Sequence, residues 1–160
     1  MRLKDVDIAP YSTILLDRDG TINVHLVGDY VKSPEEFEFV PGAKEAIAAM
    51  HRAGKQVFVM TNQRGVGKGL MTEEDLAGVH RYMQDELEKA GGQIDGIYCS
   101  TAVDSNDPRR KPQTGMWKEL LLDHPNINPA QTIMIGDSDT DEAFARNCGI
   151  RFCRVEDTVK

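Results

Sequence analysis

Short apolar runs alternate with longer stretches of helical spacing along this chain. The run 11–16 ends in Ile14-Leu15-Leu16 and reads as a buried strand. Over 43–53, Ala46, Ile47 and Met50 share one helical face, and Gly54 is the stop. Val57-Phe58-Val59-Met60 is a second buried strand, which ends at Thr61-Asn62-Gln63. Thr72 caps a helix running to about position 90, with Glu73, Glu74 and Asp75 at the positive end of its dipole. Leu76, Val79, Met83 and Leu87 keep helical spacing there and read as core contacts. A strand at 96–99, a helix at 116–122, a strand at 132–135, a helix at 139–147 and a strand at 150–155 complete the pattern. Such alternation predicts an α/β fold with parallel strands and right-handed crossovers. No shift in composition marks a boundary, so 1–160 reads as one domain.

Two stretches lack a period. Residues 20–41 carry Gly28, Pro34 and Pro41; a loop this long is functional or holds a small element of its own. Residues 64–69 form a glycine-rich loop.

Charge and cysteine usage narrow the class. A net charge of -7 argues against nonspecific binding to nucleic acid or anionic membranes, though a local basic pocket remains compatible with it. The three cysteines, Cys99, Cys148 and Cys153, are odd in number and form no C-x-x-C, so a reduced, cytoplasmic setting fits better than a disulfide framework. Residues 1–10 mix Arg2, Lys4, Asp5 and Asp7 without an apolar core, unlike a signal peptide, and no apolar run approaches a membrane span.

The candidate chemistry sits at the strand ends. Asp17 and Asp19 follow the first strand within Asp17-Arg18-Asp19-Gly20-Thr21; Thr61 follows the second, Arg110 and Lys111 the third, and Asp137 the fourth. With parallel strands, these groups converge on one sheet edge, where open α/β sheets bind ligands. Asp17 is placed to attack phosphorus while Asp19 handles the proton, provided that a cation offsets the charge. Mg²⁺ takes hard oxygen ligands, here the carboxylates of Asp17 and Asp137 with the Asp19 carbonyl. Thr61 offers a hydroxyl hydrogen bond to a phosphoryl oxygen, and Lys111 neutralises the transferring group and restrains the nucleophile.

Each part also has a plain structural reading. Asp and Gly favour turns, Thr often caps a helix, and Lys111 before Pro112 is on its own a solvated loop residue. Within Gly136-Asp137-Ser138-Asp139-Thr140-Asp141, Asp139 or Asp141 serves the dipole of the next helix while Asp137 serves the metal. The run lacks the Gly and distal Glu of a Ca²⁺ loop. Gly65-Val66-Gly67-Lys68-Gly69 lacks the Ser or Thr that follows the lysine of a nucleotide phosphate loop.

Taken together, D-x-D-G-T at Asp17 to Thr21, Thr61, Lys111 and G-D-x-x-x-D at Gly136 to Asp141 resemble the haloacid dehalogenase-like phosphohydrolases. Their order and spacing cover nearly the whole chain. Thr61-Asn62-Gln63, Arg110-Lys111-Pro112 with Gly115-Met116, and Tyr30-Val31 with Phe37 to Gly42 are similar to the heptose 1,7-bisphosphate phosphatase and histidinol-phosphate phosphatase group. The resemblance implies a three-layer, Rossmann-like core with a mainly parallel sheet and no separate cap domain. It also implies an aspartyl-phosphate mechanism with Asp17 as nucleophile and Asp19 as acid, then base. Tyr30, Asn62, Gln63, Arg64 and Arg110 are the implied substrate contacts.

One departure stands out. Many members of that group carry a zinc loop of Cys and His, whereas the stretch 99–109 holds one Cys and no His. A closed zinc site needs four ligands, so no structural zinc is expected. Turns and hydrogen bonds must hold that loop instead. The remaining histidines carry little: His51 and His80 read as surface or boundary residues, and His25 as a candidate substrate neighbour. Trp117, Cys148 and Cys153 read as packing residues.

The leading expectation is a Mg²⁺-dependent, monomeric phosphatase that removes the 7-phosphate of a heptose bisphosphate, with no nucleic-acid or membrane partner. The alternatives are histidinol phosphate, a nucleic-acid 3′-phosphate, and a phosphate-binding protein that has lost turnover.

Overall fold

The computed structural model describes residues 1–156. Its centre is one sheet of five parallel strands in the order β3-β2-β1-β4-β5. They are β1 (Thr13–Leu16), β2 (Gln56–Asn62), β3 (Gly96–Ser100), β4 (Thr132–Gly136) and β5 (Arg151–Arg154). Between them lie α1 (Ala43–Arg52), α2 (Arg64–Gly67), α3 (Glu73–Lys89), α4 (Gly115–Asp123) and α5 (Asp139–Cys148).

Successive residues of the central strands point to opposite faces, so each strand feeds two cores. Ile14, Leu16, Val57, Val59, Ile133 and Ile135 pack with Ile47 and Met50 of α1 and with Val79, Met83 and Leu87 of α3. Leu15, Phe58, Met60 and Met134 pack with Met116, Trp117 and Leu120 of α4 and with Phe144 of α5. Burial on both faces explains the nearly continuous apolar runs of β1, β2 and β4. The three-layer parallel architecture is the one expected.

The expected helices and strands are all present, with two differences. β2 extends through Thr61 and Asn62, which pair with Cys99 and Ser100 of β3, so polar residues continue the ladder beyond the apolar run. The glycine-rich stretch contains the one-turn helix α2. Within 20–41, a short 3₁₀ turn at Pro34–Glu36 and isolated bridges from Asn23 to Asp19 and Phe39 supply the small element of that loop. No helix among the described residues is long and apolar enough to cross a membrane.

The chain builds outward from β1 through β2 to β3, then returns to place β4 on the other side of β1. The carboxyl ends of β1 and β4 therefore flank the crevice where successive connections diverge to opposite sides, the ligand-binding position of open α/β sheets.

Candidate active site

A cleft of about 550 Å³ opens above these strand ends. Asp17, Asp19, Asn62, Lys111, Asp137 and Asp141 lie on its wall. Asp17 directly follows β1, and its backbone N–H donates to the Ile135 carbonyl of β4 at 3.0 Å, tying the two strand ends together. Lys111 is 3% exposed, and its Nζ donates to Asp17 Oδ1 at 2.9 Å and to Asp141 Oδ1 at 2.6 Å. Asn62 fixes the lysine's backbone from both sides. Its Oδ1 accepts from the Lys111 N–H at 2.9 Å, and its Nδ2 donates to the Lys111 carbonyl at 3.0 Å.

Asp141 is a site residue that the sequence reading missed, because that reading gave Asp139 or Asp141 only to the helix dipole. Asp139 is exposed and pairs with Arg154, as a dipole residue would. Asp141 is buried, and its carboxylate accepts from the Ser138 hydroxyl and the Asp137 N–H as well as from Lys111. Ser138 in turn caps α5 by accepting from the Asp141 N–H at 3.2 Å. The helix cap and the lysine's anchor are thus one unit. The G-D-x-x-x-D spacing was the available signal, because it seats the last aspartate in the first turn of α5, facing back over the strand end.

Asp19 is held by a different set. Arg18 and the Asn23 amide each donate to its Oδ1 at 2.9 Å, and Gln63 Nε2 donates to its Oδ2 at 2.8 Å. Arg18 is fully buried, with further bonds to Asn23 Oδ1 and to His80 Nε2 at 3.1 Å. His80 is therefore not at the boundary; it lies beneath the site with Cys99 Sγ 3.9 Å from its Nδ1. Gln63, expected against substrate, is 1% exposed and instead joins Asp19 to Thr61, whose Oγ1 accepts from Gln63 at 2.8 Å. Neither arrangement is visible in sequence, since both depend on where β2 and α3 bring residues far from the aspartates.

Electrostatics separate the carboxylates. Burial and the neighbouring Asp141 push Asp17 well above the carboxylate range, against the pull of Lys111. Burial also raises Asp137. For Asp19 burial acts upward too, but Arg18 with the Asn23 and Gln63 hydrogen bonds outweighs it and holds the group low. Lys111 stays protonated, since Asp141 and Asp17 outweigh its burial. Burial and the Arg18 charge hold His80 down to about 3, so the ring is neutral and Nε2 accepts from Arg18.

Asp17, Asp137 and Asp141 present carboxylate oxygens within 4.8 Å of one another. Three acids share one lysine, and a hard oxygen set with uncompensated negative charge fits a divalent cation such as Mg²⁺. Gly20 keeps this corner open: at φ +89°, a Cβ there would lie 1.9 Å from Asp137 Oδ2.

The other end of the cleft is cationic. Arg64, Lys68 and Arg110 line it with His25, Tyr30 and Leu26. Arg64 Nε donates to the Tyr30 hydroxyl at 3.2 Å, and Arg110 Nη1 donates to the Ala102 carbonyl at 2.9 Å. The adjoining stretch 100–109 is held by turns and hydrogen bonds: Asn106 N–H donates to Asp104, Arg109 N–H donates to Asp107, and the Arg109 side chain bonds Glu119 and the Cys99 carbonyl.

Residues 12–158 match the family model described as polynucleotide kinase 3 phosphatase. The chain belongs to this phosphatase family. Its relatives include the D-glycero-alpha-D-manno-heptose-1,7-bisphosphate 7-phosphatase of Mycobacterium tuberculosis, 39% identical over 84% of this chain and 71% of that protein. The D-glycero-beta-D-manno-heptose-1,7-bisphosphate 7-phosphatase of Rhodopseudomonas palustris is 36% identical over 88% of this phosphatase and 81% of its own length. Among solved structures, the D,D-heptose 1,7-bisphosphate phosphatase from B. bronchiseptica, complexed with magnesium and phosphate, superposes with a TM-score of 0.78 at 30% identity. That match covers 89% of the phosphatase described here and 92% of the other chain. The phosphatase thus shares the haloacid dehalogenase-like core that its motifs resemble.

Proposed function

We propose that this phosphatase removes the 7-phosphate of a D-glycero-D-manno-heptose 1,7-bisphosphate by way of an aspartyl-phosphate. The observation that carries the reading is one cleft with a Lys111-restrained Asp17 at its inner end and a cationic wall at its outer end. The names of the relatives supply the sugar.

Asp17 attacks the phosphorus and the bond to the sugar oxygen breaks. Asp19 donates the proton that the leaving alkoxide needs. Its low resting proton affinity rises when a phosphate dianion comes to lie beside it. Water then attacks the aspartyl-phosphate, Asp19 takes its proton, and inorganic phosphate and free Asp17 result. Thr61 and Lys111 hold the phosphoryl oxygens, and Asp141 with Asn62 keeps Lys111 in place. The carboxylates of Asp17 and Asp137 with the Asp19 carbonyl would hold Mg²⁺, which supplies charge neutralisation between the nucleophile and the phosphate. The enzyme acts in this reading as a cytoplasmic monomer on a small soluble substrate, without zinc, nucleic acid or membrane.

The family description keeps one alternative in view, a nucleic-acid 3′-phosphate. Phosphate release with Mg²⁺ from both anomers of heptose 1,7-bisphosphate, histidinol phosphate and a 3′-phosphorylated oligonucleotide decides between them. Preference for a heptose anomer is expected. Preference for the oligonucleotide with steep salt dependence overturns the reading, as does preference for histidinol phosphate.

A further inference from the structure

Arg18 lies between the nucleophile and the acid in sequence but takes no step in the reaction. Its side chain is fully buried, with the guanidinium carbon 5.8 Å from the centre of the Phe37 ring. Nε donates to Asn23 Oδ1 at 3.2 Å, Nη1 to His80 Nε2 at 3.1 Å and Nη2 to Asp19 Oδ1 at 2.9 Å. A buried cation is costly, and an apolar side chain would fill the space beside Phe37 without that cost. The charge and its three bonds therefore call for a purpose other than packing.

His80 completes the set from α3. An arginine can only donate, so Nε2 is the accepting nitrogen and the ring proton sits on Nδ1, which faces Cys99 Sγ at 3.9 Å. His80 does not line the reaction cleft. It lines a separate depression of about 360 Å³ with Glu73, Cys99 and Arg109, so it reaches the reaction only through Arg18. Without this acceptor, Nη1 would be a buried donor with no partner. The guanidinium is a rigid fork, so a turn of Nη1 toward another acceptor also swings Nη2 off Asp19.

We propose that His80 is a positioning residue: it orients Arg18, which holds Asp19 Oδ1 so that Oδ2 is the oxygen that meets the leaving group. The inference rests on the acid role given to Asp19 above. Each carboxylate oxygen has two acceptor sites. On Oδ1 both are taken, by Arg18 and Asn23, whereas Gln63 takes one on Oδ2. The free site is thus on Oδ2, and Asp19 stands on the cleft wall. Proton transfer needs that site within hydrogen-bond reach of the ester oxygen, and a small rotation of the carboxylate takes it out of reach.

The test measures kcat/KM with Mg²⁺ on two esters, for the wild type, His80→Leu, His80→Gln and Asp19→Asn. One ester is p-nitrophenyl phosphate, whose phenolate departs without a proton. The other is whichever alkyl ester of the panel above the wild type cleaves best, whose alkoxide needs one. Asp19→Asn sets the scale and should lose about a hundredfold or more on the alkyl ester relative to the aryl ester. His80→Leu should lose about ten- to a hundredfold more on the alkyl ester than on the aryl ester. His80→Gln, whose Oε1 reaches the place of Nε2, should restore most of that loss. The ratio of two esters on one preparation does not depend on how much of the protein is folded, so lost stability cannot imitate the effect. Equal losses of His80→Leu on both esters, with Asp19→Asn still discriminating, overturn the positioning role and leave the acid role standing. A His80→Gln as impaired as His80→Leu overturns the accepting role of Nε2. An Asp19→Asn that does not discriminate overturns the acid role, and the inference falls with it.

Discussion

Asp17 is costly to keep charged. Burial and Asp141 both disfavour its ionised form, and Lys111 only partly compensates. Asp17→Asn should therefore stop turnover, to below about one part in 10⁴ of wild type. In metal-free buffer it should also melt a few degrees higher, because the amide removes a repulsive charge. Phosphate release and thermal melting on one preparation check both halves; near-normal turnover would remove Asp17 as nucleophile. His80 makes stability depend on pH. Its ring is held neutral down to about 3, against about 6.5 in an unfolded chain. The unfolded state binds the extra proton between those values, so stability is fully present above about pH 6.5 and is lost as pH falls toward 3. The loss amounts to several kcal/mol, and denaturant melts between pH 7 and 4 should show it. In His80→Gln that slope should flatten. The aspartates were readable from sequence because D-x-D-G-T is local. The Arg18–His80 contact was not, since it spans 62 positions and depends on how α3 docks.

At the scale of elements, the long periodic helices and the doubly buried strands were legible, and α2 was not. Four residues, two of them glycine, contain no period to detect, and the turn is specified by what it packs against. The polar end of β2 was hidden for a related reason. Thr61 and Asn62 look like loop residues until β3 offers them partners. The helix turn also carries a prediction. Gly67→Ala would put a methyl group 2.1 Å from the Thr101 carbonyl oxygen, so α2 must move. KM for the phosphate ester should rise about tenfold or more, while the melting temperature changes little because position 67 itself is exposed. An unchanged KM would show that α2 does not need its present position.

For the whole molecule, the strand order 3-2-1-4-5 places the ends of β1 and β4 side by side, and most of the chemistry follows from that neighbourhood. Convergence of the strand-end residues was legible because alternation predicts parallel strands, and parallel strands share one functional edge. The balance of charge at that edge was not, because it required Asp141 to turn inward while Asp139 turned out. That balance predicts metal-linked stability. Mg²⁺ at a hundred times its Kd should add about 2.7 kcal/mol, or roughly 5–10 °C in melting temperature. Chelation should abolish the gain, and Asp137→Ala should not show it. A melting curve indifferent to Mg²⁺ would argue against the acidic corner as a metal site.

The two glycines of α2 also bear on how such an enzyme changes its diet. They separate the contacts that hold the turn from the side chains that it displays. Gly65 and Gly67 face its neighbours, while Arg64 and Lys68 face the cleft without supporting either core. Both side chains are exposed and neither touches Asp17 or Lys111, so substitutions at positions 64 and 68 are expected to leave the fold and the Asp17–Lys111 contact intact. A small library at these two positions and Tyr30 is therefore a compact starting point for changing which phosphate esters the enzyme accepts.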